Sequence, residues 1–508
     1  MPIPGLRIDE HQALPVYRQI ANGIREAAGD GRLPPGHRLP PTRDLARQLG
    51  VNRNTVIAAY EFLASEGVVE SHMGKGTFLT APGNGGASVT EPAAAPDTWF
   101  TAFSRAVEGP GVGGLLSMYR LATSEEGISF AGSYPAAELM PVEAIGRALA
   151  IALRERGERL LGYGPTAGDV PLREALAEQL HRRGVPVGAE DVLITNGAQQ
   201  AIELVFRTFV ERGDAVVTEE PTYTGALSVL HSIGARVVGV PLDEEGIRTD
   251  LLALALERHR PRLLYVQPTF HNPTSAVMSL ARRRELLELA QRHRCPVVED
   301  DWGGDLRFEG PELPTLHALD GGRHVIYLST FSKKLLPGLR LGWIAAPPPV
   351  VARLTALKQI EDNGTSPLLQ GALHAFLRDG GIDTHLDRVR PAYRQRRDSM
   401  LAALERHFPE QARWTRPTGG LFLWVTLPAD FDANALAVAS QRRGVLFSRG
   451  ELFHANGGGR HTLRLTYSAA SPEQIESGVA TLGGLVQELW PGRLEPFRTR
   501  AIEAMPIL

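Results

Sequence analysis

Lys333 stands in the run STFSKKLLPGLRLGW, residues 329–343, among groups that an amine-bound aldehyde cofactor needs. A lysine that forms a Schiff base requires a fixed approach to the carbonyl, hydroxyl donors for a phosphate, and a cation to balance that phosphate. Thr330 and Ser332 supply the hydroxyls, and Arg340 supplies the cation. An isolated lysine pair is more often a solvated turn, so the weight falls on what else the chain offers.

Four further positions contribute, each after an apolar, strand-like run. NGAQQAIELV, from Asn196, follows VLIT and opens a helix, so the backbone N–H groups of Gly197, Ala198 and Gln199 can cradle a phosphate. Tyr223 in EEPTYTGAL offers a ring face that can stack on a planar group. Asn272 in YVQPTFHNPTS can donate to a phenolic oxygen, or simply open the turn before Pro273. Asp300 in VVEDDWGGDLRF can keep a pyridine nitrogen protonated and so sustain an electron sink, whereas Asp301 reads as a solvated or capping carboxylate. With Lys333 and Arg340, these are the groups that a pyridoxal phosphate ring requires.

The elements that must position them alternate. VLIT, AVVTEE, LLYVQP, VVEDD and VIYLST are separated by helix-period stretches such as LREALAEQLHRR and RRRELLELAQRHR. That order predicts an α/β fold: a mostly parallel sheet, helices on both faces, and ligands at the strands' carboxyl ends. LFLWVTLP and LRLTYS predict a smaller α+β unit towards the C-terminus. At 508 residues the chain exceeds one ordinary domain. The break lies at APGNGGASVTEPAAAPD, residues 81–97, which is free of Lys and Arg and reads as a linker between residues 1–80 and 98–495.

A net charge of −3 argues against a surface coated for nucleic acid or membrane, so any DNA contact must be local. The single cysteine, Cys295, lies in the apolar run CPVVED and reads as a buried structural thiol. No metal-ligand pattern, signal core or bilayer-length apolar run is evident, and a soluble cytoplasmic protein is expected.

Residues 1–80 have an organisation of their own. PVYRQIANGIREAAGD has helical spacing and gives way at Gly31 to RLPPGHRLP, whose prolines end the helix. TRDLARQLG and VNRNTVIAAYEFLASEG then read as two helices around the stop at Gly50, the second capped by Asn52. VVESHMGKGTFLT supplies a hairpin wing with Lys75 at its tip. The second helix would offer Arg53, Asn54 and Thr55 to double-stranded DNA in the major groove, with Arg43 as a phosphate contact. Nine Lys and Arg against eight Asp and Glu in this segment leave it without the bulk basic excess of a DNA-binding domain.

RLPPGHRLPPTRDLARQLGVNRNTVIAAYEFLASEGVVESHMGKGTF nevertheless resembles the winged helix of GntR-type bacterial repressors, with Leu39, Pro40, Pro41, Thr42 and Arg43 as the counterpart of their LPSTR. YGPTAGDVPLREALA, NGAQQA, EPTY, HNPTS, EDD, the Lys333 run, TGGLFLW and LRLTYS resemble, in order, the fold-type I pyridoxal-phosphate enzymes of the aspartate aminotransferase kind, over residues 115–490. The resemblance implies Lys333 as internal aldimine lysine, Asp300 as partner of the pyridine nitrogen and Asn272 as phenolic-oxygen donor. It implies Tyr223 as the stacking ring, with Ala198, Gln199, Thr330 and Arg340 around the phosphate. Tyr163 would reach a neighbouring subunit's phosphate, and Arg464 would clamp a carboxylate.

Together the two resemblances are those of MocR/GabR-type regulators. They imply a head-to-tail homodimer, pyridoxal phosphate, and an amino-acid or amine effector sensed through the aldimine at Lys333. The competing expectation is an active, 2-aminoadipate-type aminotransferase with an accessory DNA-binding head. Four departures stand out. Trp302 replaces a tyrosine, and its indole N–H is expected to substitute in part for the phenol. Ser275 replaces the glycine of NPTG, and Arg449 stands where PG is common. Gly225 occupies a position that is cationic in GABA-responsive relatives, which argues against GABA.

Overall fold

The structure, a computed structural model, describes residues 16–30, 32–34, 36–51, 53–65, 68–72, 76–79 and 127–490, together with residues 3 and 6. The chain divides into two compact units, Met1–Trp99 and Phe100–Leu508. The expected linker, residues 81–97, and also Asn52 and Lys75, lie outside the described residues.

The first unit contains α1 (Val16–Gly29), α2 (Thr42–Leu49) and α3 (Arg53–Ser65), followed by the antiparallel strands β1 (Val69–His72) and β2 (Gly76–Leu79). Ile20, Ile24 and Ala27 of α1 meet Leu45 of α2 and Val56, Ala59 and Leu63 of α3 in a closed core, as the helical spacing predicts. Gly50 stops α2 in the left-handed conformation, at φ 67°, and returns its N–H to the Ala46 carbonyl. Arg38 bridges Phe78, which adds a third short edge to the wing.

In the second unit, β3 (Ile128–Phe130) precedes a large sheet of β4 (Val192–Thr195), β5 (Ala215–Glu220), β6 (Arg236–Asp243), β7 (Gly246–Ile247), β8 (Leu263–Val266), β9 (Val297–Asp300), β10 (Val325–Thr330) and β11 (Gly342–Ala345). Its order is β4-β11-β10-β9-β8-β5-β6-β7. Strands β10, β9, β8, β5 and β6 run parallel, while β11 is antiparallel to both neighbours. Helices cover both faces, so every residue of β4, β8, β9 and β10 is buried.

The smaller unit is a sheet of β12 (Arg413–Trp414), β13 (Phe422–Thr426), β14 (Val445–Arg449) and β15 (Thr462–Thr466), in the order β12-β13-β15-β14-β3. Strand β3 joins it in parallel with β14, a long-range pairing that no local pattern announced. The helices Gly381–His407 and Pro472–Leu489 close its core.

The five parallel strands begin after turns with a left-handed residue. Glycine fills that place before β5 (Gly213), β6 (Gly234) and β10 (Gly321), but before β8 and β9 it is Arg260 (φ 44°) and Arg294 (φ 52°). A non-glycine residue held there costs roughly 1–2 kcal/mol. Cys295, just beyond, is buried, and burial pushes its thiol up to about 12.

No helix among the described residues is long and apolar enough to cross a membrane.

Candidate functional site

The carboxyl ends of the parallel strands converge on a cavity of about 640 Å³. From β4 the chain turns through Gly197 at φ 82° into the helix Ala198–Phe209, whose first-turn N–H groups have no partner within the helix. A Cβ on Gly197 would lie 2.8 Å from a terminal nitrogen of Arg340, so only glycine lets that guanidinium reach the turn. Arg340 donates to the Asn196 carbonyl at 3.0 Å and lies 3.5 Å from the Ser332 hydroxyl. The Thr330 hydroxyl lies 3.1 Å from that of Ser332 and receives the Ser332 N–H at 3.1 Å. Two hydroxyls, a guanidinium and a helix N-terminus thus form one anion-binding corner.

Lys333 reaches into the same cavity and donates to the Ser133 carbonyl at 2.9 Å, with its ammonium 5.2 Å from the Tyr134 ring centre. No carboxylate pairs with it among the described residues. Burial, and then the nearby Arg464 and Arg340, draw its pKa down to about 8, so a useful fraction of the amine is neutral and nucleophilic near neutral pH.

Opposite stands Asp300, at the end of β9. Its Oδ2 accepts from the Tyr265 hydroxyl at 2.6 Å and the Gln267 amide at 2.8 Å, while its buried Oδ1 has no partner. Burial pushes the carboxyl up to about 6 although both hydrogen bonds favour the charged form. A buried acceptor left open in this way is suited to an N–H donor from a ligand.

Tyr223 caps the helix Thr224–Ser232, and its hydroxyl donates to Gln199 at 3.1 Å. Gln199 in turn donates to the Gly225 carbonyl at 3.0 Å. A Cβ on Gly225 would collide with both the Tyr223 ring and Gln199, so this position excludes any side chain while they stay in place.

Arg464 of β15 is buried, donates to Asn272 Oδ1 and to the Ala131 carbonyl at 2.8 Å each, and has a buried Nε without a partner. The rings of Phe422 and Phe453 lie 5.0 and 4.9 Å from its guanidinium carbon. Burial lowers its pKa to about 10, and no carboxylate balances it among the described residues.

Lys333, Asp300, Asn272, Tyr223, Ala198, Gln199, Thr330, Arg340 and Arg464 therefore all line one cavity. Tyr163 does not; it is 97% exposed. In the first unit, Arg43 is exposed on α2 and Thr55 is half-buried in the first turn of α3, while the side chains of Arg53 and Asn54 lie outside the described residues.

Two expectations need revision. The Trp302 indole N–H donates to the Phe270 carbonyl at 3.1 Å and its ring stacks on Phe422, so it cannot stand in for a phenol directed at the cofactor. Of the two readings of Asp301, capping holds and solvation does not: it receives the Gly304 N–H three residues on, but is buried, 3.0 Å from Arg183, and also receives the Tyr327 hydroxyl. Ser275 keeps the left-handed backbone of the glycine it replaces, at φ 60°, anchored by a 2.6 Å hydrogen bond to the Phe422 carbonyl. Sequence reasoning also passed over Ser133, Tyr134, Tyr265 and Gln267. The last two carried a signal, two polar residues at i and i+2 on one face of a buried strand.

Residues 131–482 match the family described as aminotransferase class I and II. The chain belongs to that family. Residues 16–79 match the bacterial regulatory proteins of the gntR family, so the aminotransferase fold here carries a DNA-binding head. This pairing extends over whole relatives. The HTH-type transcriptional regulator YdfD of Bacillus subtilis is 34% identical over 94% of this chain and 97% of its own length. The probable rhizopine catabolism regulatory protein MocR of Rhizobium meliloti is 33% identical over 94% and 95%. The chain is thus a regulator of the MocR type. Among solved structures, the α-aminoadipate aminotransferase LysN of Thermus thermophilus, complexed with N-(5'-phosphopyridoxyl)-L-leucine, aligns with a TM-score of 0.71 and 40% identity over 77% of this chain and 98% of its own.

Pyridoxal phosphate is the cofactor of the aminotransferase-like unit, and the residues fit it. The open Oδ1 of Asp300 matches a ring N–H, the corner at Gly197, Thr330 and Arg340 matches a phosphate, and Lys333 matches the aldehyde.

Proposed function

We propose that this regulator senses a carboxylate-bearing amino compound at the Lys333 cavity and passes the result to the DNA-binding head. The observation that carries this reading is the trio of unbalanced groups, Lys333, Asp300 Oδ1 and Arg464, facing one cavity in a chain with a gntR-family head. Pyridoxal phosphate supplies an aldehyde that condenses with amines and a ring that accepts electron density. Lys333 holds the aldehyde carbon, Asp300 keeps the ring nitrogen protonated, Asn272 donates to the phenolic oxygen and Tyr223 covers the ring. Ala198, Gln199, Thr330 and Arg340 bind the phosphate. Arg464 takes the effector's carboxylate, which gives its buried charge the counter-ion it lacks.

In the same reading, residues 1–80 read DNA through Arg43, Arg53, Asn54, Thr55 and Lys75, residues 81–97 link, and residues 98–495 sense, in the cytoplasm. The working unit is a head-to-tail homodimer, in which Tyr163 of one subunit reaches the other's phosphate. Support comes from the exposed Leu161, Tyr163 and Ile360, at 71%, 97% and 84%; contact between Thr166 and Gln359 brings their two chain stretches together.

The test is a gel shift of the chain's own promoter region, with and without amino acids that change the bound cofactor's absorption. The expected result is a shift that responds to those same amino acids. The second reading, a working aminotransferase, is favoured by the likeness to LysN. It predicts sustained consumption of an amino donor with 2-oxoglutarate and no effect of the donor on DNA binding.

A further inference from the structure

The head has almost no basic excess, yet the edge of the large sheet away from the cofactor cavity does. In register, Val325 pairs with Val297, Val297 with Leu264, Leu263 with Val216 and Ala215 with Arg236, so the amino ends of β10, β9, β8, β5 and β6 lie side by side. The turns leading into them read ERGD, GAR, ERHRPR, QRHR and DGGRH, eight arginines against four carboxylates in a chain whose net charge is −3. All eight arginines are exposed.

Two of the four carboxylates are already engaged. Asp214 pairs with Arg262 at 3.3 Å, and the buried Asp320 accepts from the N–H groups of His324 and Val325. Arg212, Arg236, Arg258, Arg260, Arg292 and Arg294 have no carboxylate in ion-pair range among the described residues. His259 registers the local field: burial, and then Arg236 and Arg258, lower its pKa.

The backbone supplies an independent observation. Arg260 and Arg294 occupy left-handed positions that glycine fills in the three sister turns. A costly residue retained where glycine is free to sit points to a use for the side chain rather than for the fold.

We propose that this rim binds the phosphates of duplex DNA, so that the aminotransferase-like unit itself grips the DNA that its head reads. Five strands about 4.8 Å apart give a rim roughly 19 Å across. Duplex DNA presents about one charge per 1.7 Å of axis, enough for every unpaired arginine of the rim to meet a phosphate. DNA is the polyanion favoured here because the same chain carries the head that delivers it.

The inference rests on the reading of the chain as a DNA-binding regulator. The test uses the full-length protein, a random-sequence duplex, and the double variant Arg260→Gly/Arg294→Gly, which removes two charges and relieves two strained turns. The melting temperature should hold or rise. The slope of log affinity against log salt should shrink by about 2, so a fourfold rise in salt should cost the variant roughly tenfold less affinity than the parent. Equal slopes for a folded variant would overturn the inference. So would an altered affinity for anionic phospholipid vesicles with DNA binding unchanged. If the parent itself binds neither the random duplex nor its promoter, the regulator reading fails instead. Arg43→Ala separates the two, because it should abolish the promoter shift and leave the rim's share of the salt slope in place.

Discussion

Lys333 and Lys334 are chain neighbours that face two cavities, of about 640 and 490 Å³. Lys334 is buried against Asp305 and lies 5.2 and 4.8 Å from the ring centres of Phe331 and Trp343. Asp301, on the same side, is held by Arg183, Tyr327 and Gly304. Across the sheet, Lys333 has a carbonyl and a ring, Asp300 has an oxygen without a partner, and Arg464 has no counter-charge. The two sides use the same residue types one position apart. What separates them is pairing: a matched buried charge holds the fold, whereas an unmatched one costs stability until a ligand arrives.

The largest effect should come from exchanging the two lysines' fates. Lys333→Ala should abolish all borohydride-trapped cofactor, while Lys334→Ala should keep it; equal trapping by both variants would erase the distinction. On stability the order inverts. Lys334→Ala removes the nearer of two cations from Asp305, leaving Arg183 at 3.8 Å, and empties a packed site beside Phe331 and Trp343, so it should cost about 2–3 kcal/mol in urea denaturation. Lys333→Met should instead stabilise the cofactor-free protein at neutral pH.

The pH dependence sharpens this contrast. In the cofactor-free fold, Lys333 titrates near 8 rather than 10.5, so its charged form burdens the folded state below about pH 8, and the burden lifts as pH rises from 8 to 10.5. Asp300 titrates near 6 rather than 3.8, so stability falls as pH climbs through that window and stays lower above it. Asp300→Asn should remove the second effect, a gain of about 3 kcal/mol at pH 7 that disappears below pH 4. A flat difference between parent and variant from pH 3 to 8 would show that burial does not disfavour this carboxylate. The smallest change is expected from Ser275→Gly, where relief of the left-handed strain and loss of the hydrogen bond to Phe422 offset each other to within about 1 kcal/mol in the melting curve.

The legible residues were those whose role is set by nearby sequence. Asp300, Asn272 and Lys333 follow strand ends, and a parallel sheet brings strand ends to one edge, so chain order sufficed to gather them. Gly50 and the helically spaced core of the head were legible because their roles are likewise set by nearby sequence. Ser133 and Tyr134 were not, because they reach Lys333 only through the pairing of β3 with β14, some 315 residues away in sequence. Trp302 was misread because a donor's partner depends on tertiary packing: the Phe270 carbonyl, 32 residues back in the chain, already takes its N–H. The burial of Asp301 was not legible because its partner Arg183 lies on a distant helix end.

The hydrogen bond from Arg464 to Asn272 joins the small sheet to the loop that leaves β8 of the large one. On the proposed reading, a carboxylate arriving at Arg464 would compete with the Asn272 oxygen for the same guanidinium and so unfasten a latch between the two. A simple amine can react at the aldehyde but brings nothing to open that latch. Occupancy and signal would then be separable at this site: an amine lacking a carboxylate should behave as a silent blocker where an amino acid should act as a trigger.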